Sequence, residues 1–137
     1  MFTVHLAVTW FIVGLIWVIQ LIVYPQFLRV GAAEFRAYHF SHCLRIGFMI
    51  VPLVLLVLLE AGSAVWLFYQ GLRTTPFLIS LGMIPLIGLS TAICQAPDHT
   101  QLMQGYDKAV IRHLILTNWI RTLGWTARGV LLFFTGA

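Results

Sequence analysis

Charge is what this sequence has least of. Only 9% of its 137 residues are charged, and just four of them are acids. A soluble domain carries about 25% charged residues, with which it covers a water-facing surface. Here 61% of residues are hydrophobic and the mean hydropathy is +0.95, so the chain reads as an integral membrane protein embedded in a lipid bilayer. Lys and Arg exceed the acids, giving a net charge of +4. They form no basic run, which sets nucleic acid aside as a partner and leaves the charge a topological role. Cysteine is nearly absent too: Cys43 and Cys94 make no motif and no disulfide framework. No cleavable signal is legible, because the first apolar segment is long, lacks a basic start and has no small-residue cleavage site. There is no P-loop, nucleophile elbow or dinucleotide fingerprint. Ser41, Ser63, Ser80 and Ser90 have no base and acid at sensible spacing. Repeats and low-complexity segments are lacking as well.

What remains is apolar sequence in four blocks, at about residues 3–24, 43–69, 76–95 and 113–134. Each has the roughly 20 residues that a spanning helix needs. In lipid the backbone must satisfy its own hydrogen bonds, so the expected fold is all-α. One transmembrane domain covers residues 1–137, an up-down four-helix bundle with short loops. Proline should stop the first helix at Tyr24-Pro25 and the third near Ala96-Pro97. Trp10, Trp17 and Tyr24 recur every seven residues and predict one continuous face. Residues 33–45 contain no Pro or Gly and should extend the second helix outward. Residues 100–112 read as a short amphipathic lead into the fourth helix.

Arg29, Arg36, Arg45, Lys108 and Arg112 fall on one side, and only Arg73 on the other. By the positive-inside rule both large loops face the cytoplasm and both termini lie outside it, as in a bacterial inner-membrane protein.

The charges inside the apolar blocks point to chemistry. Asn118, Arg121, Trp125 and Arg128 are spaced 3, 4 and 3 residues apart, which puts them on one helix face. Glu60 lies fifteen residues past Arg45, and Arg128 fifteen past His113, each roughly 22 Å along its helix at 1.5 Å per residue. Matching depth makes Glu60 and Arg128 the expected structural ion pair. Arg121 sits about 12 Å in with no acid at its level, since Glu34, Asp98 and Asp107 are in loops. A guanidinium cannot be deprotonated, so a pocket or a ligand oxygen must answer it. Gln20, Asn118, Arg121 and Trp125 are the candidate ligand-binding residues, and the candidate ligand is an apolar small molecule with a carbonyl, phenolate or carboxylate.

A second group gathers toward the cytoplasmic side. His39 and His42 share a helix face, with His99 and His113 nearby in the same layer. His39, His42 and His99 are candidate catalytic acid-base groups, and equally candidate ligands of a metal ion such as zinc. No helix carries the Glu-x-x-His motif of di-iron bundles, and His5, alone at the outer side, reads as structural.

Four short-looped helices with Asn118-Trp119-Ile120-Arg121-Thr122 on the last resemble the anthrone-oxygenase-like group of small membrane proteins. That resemblance implies oxidation of a polycyclic phenol, hence an oxidoreductase, without an obvious cofactor. The alternative is a non-enzymatic subunit of a homo-oligomer or larger membrane complex, in which the buried polarity fixes helix register and docking.

Overall fold

A computed structural model describes residues 1–135, with the side chains of Met49, Ile50, Val51 and Leu53 left aside. Gly136 and Ala137, which the domain reading included, lie outside the described residues. Every element among these residues is helical: α1 (Phe2–Val18), α2 (Tyr24–Phe27), α3 (Ala32–Tyr69), α4 (Thr75–Ser90), α5 (Ala96–Leu102) and α6 (Lys108–Phe133). One π-helical turn, Ile19–Val23, joins α1 to α2, and another, Thr91–Gln95, joins α4 to α5. Two rods result, Phe2–Phe27 and Thr75–Leu102, each long and apolar enough to cross a membrane. The alternation of rods and short connections, at 28–31, 70–74 and 103–107, makes sequential rods antiparallel. α1 packs on α3 and α6, and α4 packs on α3 and α6. The four rods therefore close a ring in the order α1, α3, α4, α6.

Proline does not stop the first and third rods where the sequence reading ends them. Pro25 and Pro97 are each the second residue after a π turn. Proline has no N–H and its ring crowds the preceding turn; in a wider turn that loss is absorbed, and the helix runs on to Phe27 and Leu102. The π turn also shifts the phase of the first rod. Trp10 and Trp17 turn to α6, where Trp17 Nε1 donates to Thr126 Oγ1 at 3.0 Å and Trp10 packs on Phe133. Tyr24 packs in the cluster that holds Ile111 and Leu114 of the same helix, and its hydroxyl reaches His99 of α5. The last helix starts at Lys108, earlier than its apolar run, because Asp107 caps it: Oδ1 accepts from the amides of Ala109 and Val110.

Packing is layered along α6. Leu132 sits with Ala64, Leu67 and Phe77 near the chain termini, Trp125 with Ile12, Val13, Ile16 and Ile87 at mid-height, and Ile111 and Leu114 with Tyr24, Phe27, Phe35 and Leu102 at the loop end. Between these apolar layers lie Arg128 and, one layer on, Asn118 and Thr122, all buried. Two glycines bring neighbours in close. A Cβ on Gly124 would stand 2.9 Å from Ile87 of α4, and one on Gly129 would stand 3.1 Å from the Trp10 ring of α1. The outer faces are apolar as well, with Phe48, Leu86, Leu116, Ile120 and Phe133 all exposed.

Candidate functional site

Three polar assemblies interrupt the apolar packing. The one nearest the termini is an ion pair: Arg128 Nη2 meets Glu60 Oε1, and both side chains are fully buried. Arg128 Nε donates to Ser80 Oγ at 3.2 Å, and its guanidinium lies 5.2 Å from the Trp125 ring centre. The charges expected to pair from matching depth do meet, between α3 and α6. His5 completes the set. Ser63 Oγ gives its proton to the Glu60 carbonyl at 2.9 Å, so it accepts from His5 Nδ1 at 2.8 Å. That leaves His5 Nε2 as an acceptor toward Arg128 Nη2, 3.5 Å away. Glu60 Oε2 and Arg128 Nη1 have no hydrogen-bond partner among the described residues. His5 is thus part of the charge network of four rods, which its isolation in sequence could not reveal.

The middle assembly is where the sequence reading places a pocket. Gln20 and Asn118 do come together, but they close on each other. Asn118 Nδ2 donates to Gln20 Oε1 at 2.8 Å, and Gln20 Nε2 donates to the Ile115 carbonyl at 3.2 Å. Thr122 Oγ1 stands 3.3 Å from the same Gln20 oxygen. Gln20 is held there by the π turn that contains it. Gln95, in the other π turn, reaches α6 in the same way, donating to Thr117 Oγ1 at 3.1 Å. Trp125 is not beside this group; it belongs one layer toward the termini, under Arg128. An open depression exists instead at the loop end, lined by Ala33, Arg36, Ala37, Phe40 and Met103.

Arg121 stands at the edge of the middle assembly. It is half-buried; Nη1 donates to Asn118 Oδ1 at 3.3 Å, and the guanidinium also reaches the Tyr24 hydroxyl. Its Nε is buried without a partner among the described residues. No carboxylate pairs with it among the described residues. Its charge acts on Tyr24 and on His99, which lie toward the loop end.

The third assembly joins α2, α3 and α5. Tyr24 Oη lies 3.2 Å from His99 Nε2, and His99 Nδ1 lies 3.2 Å from His39 Nε2. Cys43 Sγ, one turn along α3 from His39, is 3.7 and 3.8 Å from the two His39 ring nitrogens. The donor atoms of His39, Cys43 and His99 all fall within 4.8 Å of one another. His42 does not join this donor group. Its ring stacks 6.0 Å from His39 and 6.2 Å from His99, and its edge contact is with Phe27 at 4.9 Å. Loss of hydration on burial, with His42 adding a like charge, holds His39 down at about 4, so its imidazole is neutral at pH 7. His113 turns elsewhere, with Nδ1 2.8 Å from Asp98 Oδ2.

Sequence reasoning passed over Tyr24 and Cys43. The His39-x-x-x-Cys43 spacing, i and i+4 on one helix face, is the signal that could have found the second. No protein-family model, curated protein or solved structure matches this chain.

Proposed function

We propose that this chain is a four-helix integral membrane protein of inner-membrane type, whose loop-end half binds an apolar, ring-bearing molecule through its oxygen. The observation that carries the reading is Arg121: a permanent cation at mid-height of an apolar rod, whose partners are the neutral side chains of Asn118 and Tyr24, with an unpartnered buried Nε and no acid among the described residues. Hydrocarbon penalises such a cation by at least about 2.5–3.5 kcal/mol on insertion scales. A ligand carbonyl, phenolate or carboxylate between Arg121, Tyr24 and His99 would offset that penalty.

The apolar outer faces and the two rods of spanning length support the membrane reading. α6 carries two arginines on one face of an apolar rod, and the structure turns Arg128 wholly inward. The surplus of basic residues beside the connections at 28–31 and 103–107 puts those in the cytoplasm and both termini outside. In this site Arg121 and Asn118 orient the ligand oxygen. The hydrogen-bonded run from Tyr24 through His99 to His39 can move a proton to or from it. The resemblance to the anthrone-oxygenase-like group makes a polycyclic phenol the first candidate for the bound molecule.

Mass spectrometry of an organic extract of the purified protein tests this. An aromatic, oxygen-bearing compound should co-purify with the wild type and be absent from Arg121→Gln, which should keep the helical circular dichroism and thermal stability of the wild type. If Arg121→Gln unfolds, or the wild type carries no such compound, Arg121 serves helix packing and the ligand reading falls.

A further inference from the structure

We infer that His39, Cys43 and His99 form a binding site for a zinc-class transition-metal ion, with Tyr24 as the positioning residue behind it. The argument is one of distances. Zinc bound tetrahedrally at about 2.0–2.1 Å from nitrogen and 2.3 Å from sulfur separates two nitrogen ligands by about 3.3 Å and a nitrogen from a sulfur by about 3.6 Å. In this chain His39 Nε2 and His99 Nδ1 are 3.2 Å apart, and Cys43 Sγ is 3.8 Å from His39 Nε2. His39 thus stands at nearly the separations that one ion would impose from both His99 and Cys43, and all three donors lie within 4.8 Å of one another.

The surroundings fit as well. His39 is fully buried, and the Phe27 and Phe35 rings pack on it at 5.4 and 5.6 Å. A metal-bound histidine usually has its second ring nitrogen held by a hydrogen bond. Tyr24 Oη lies 3.2 Å from His99 Nε2, the nitrogen that Nδ1 ligation leaves free. With the ion bound, His99 Nε2–H donates to the Tyr24 oxygen and Nδ1 offers its lone pair. Two imidazoles and one thiolate suit zinc over magnesium or calcium, which take oxygen. Three protein donors leave a fourth position for water or substrate, as in catalytic zinc sites. The assignment replaces His42 with Cys43; with the ion bound, His39 Nε2 and His99 Nδ1 are its ligands, and the ion stands in place of the hydrogen bond between them.

The full-length protein, purified in detergent and stripped with chelator, is titrated with Zn²⁺ and separately with Co²⁺. One ion per chain should bind, and the cobalt form should show a thiolate-to-metal charge-transfer band. His39→Gln and His99→Gln should lose the ion, Cys43→Ser should lose the charge-transfer band, and His42→Gln should retain both. Tyr24→Phe should keep the stoichiometry but bind about 10–100-fold more weakly. Should a variant fail to fold, the wild type still decides: Zn²⁺ should shield Cys43 from a thiol-alkylating reagent and leave Cys94 as reactive as before. Equal labelling of Cys43 with and without zinc overturns the site, as does a stoichiometric ion retained by His39→Gln. Loss of the ion in His42→Gln but not in Cys43→Ser would overturn this ligand set.

Discussion

Glu60→Gln should be among the most damaging single changes in this chain. It keeps the volume and one hydrogen-bonding oxygen but removes the negative charge that faces Arg128. Both side chains are wholly buried, so the guanidinium left behind has no water to turn to. Its remaining partners are Ser80 at 3.2 Å and His5 at 3.5 Å, both neutral acceptors. Removing one member of a buried ion pair costs about 3–5 kcal/mol. Unit charges about 4 Å apart at an effective dielectric near 20 give a similar figure, roughly 4 kcal/mol. The assay is reversible unfolding in mixed micelles, followed by circular dichroism, for the wild type, Glu60→Gln, Arg128→Gln and the double variant. Each single variant should lose about that amount, and the double variant should recover much of it, because an amide pair leaves no orphaned ion. Burial should also make the loss insensitive to ionic strength. A Glu60→Gln protein within about 0.5 kcal/mol of the wild type, or a double variant no better than the worse single one, would show that the pair carries no such weight.

Other changes should act more locally. Asn118→Ala strips Gln20 Oε1 of its 2.8 Å donor and should destabilise by about 1–3 kcal/mol in the same assay; no loss would mean that Gln20 finds another partner. Gly129→Ala puts a methyl 3.1 Å from the Trp10 ring and should cost about 1–3 kcal/mol through overpacking, with a shift in tryptophan emission; an unchanged spectrum and stability would show that α1 and α6 separate freely there. A periplasm-active reporter fused at the C-terminus should be active and one inserted near Thr100 inactive; the reverse would invert the proposed topology.

How far the sequence is readable depends on whether neighbours in space are regular in sequence. The apolar runs reveal the rods because burial of a helix backbone leaves a long compositional trace. Glu60 and Arg128 could be matched because helix rise converts sequence distance into height, and deep acids are scarce. Pro25 and Pro97 misled because a proline's lost hydrogen bond is absorbed by π turns that no composition announces. The Trp10, Trp17 and Tyr24 periodicity was readable because all three pack toward one helix, α6. Cys43 was hidden for another reason: its significance comes from His99, which a different rod supplies. His5 looked solitary because its partners Ser63, Glu60 and Arg128 are far away along the chain.

The alternation of apolar and polar layers along α6 limits how this molecule can move. Sliding α6 by one turn, about 5.4 Å, would carry Arg128 toward the level of Ile12, Ile16 and Ile87 and pull it off Glu60. Asn118 and Thr122 would lose Gln20 in the same step. The polar layers therefore act as detents, and piston motion along the rod axis is blocked at two heights at once. The π turns of the first and third rods lie between the ion pair and the histidine cluster. Gln20 and Gln95, carried by those turns, tie both rods to α6 at that height as well.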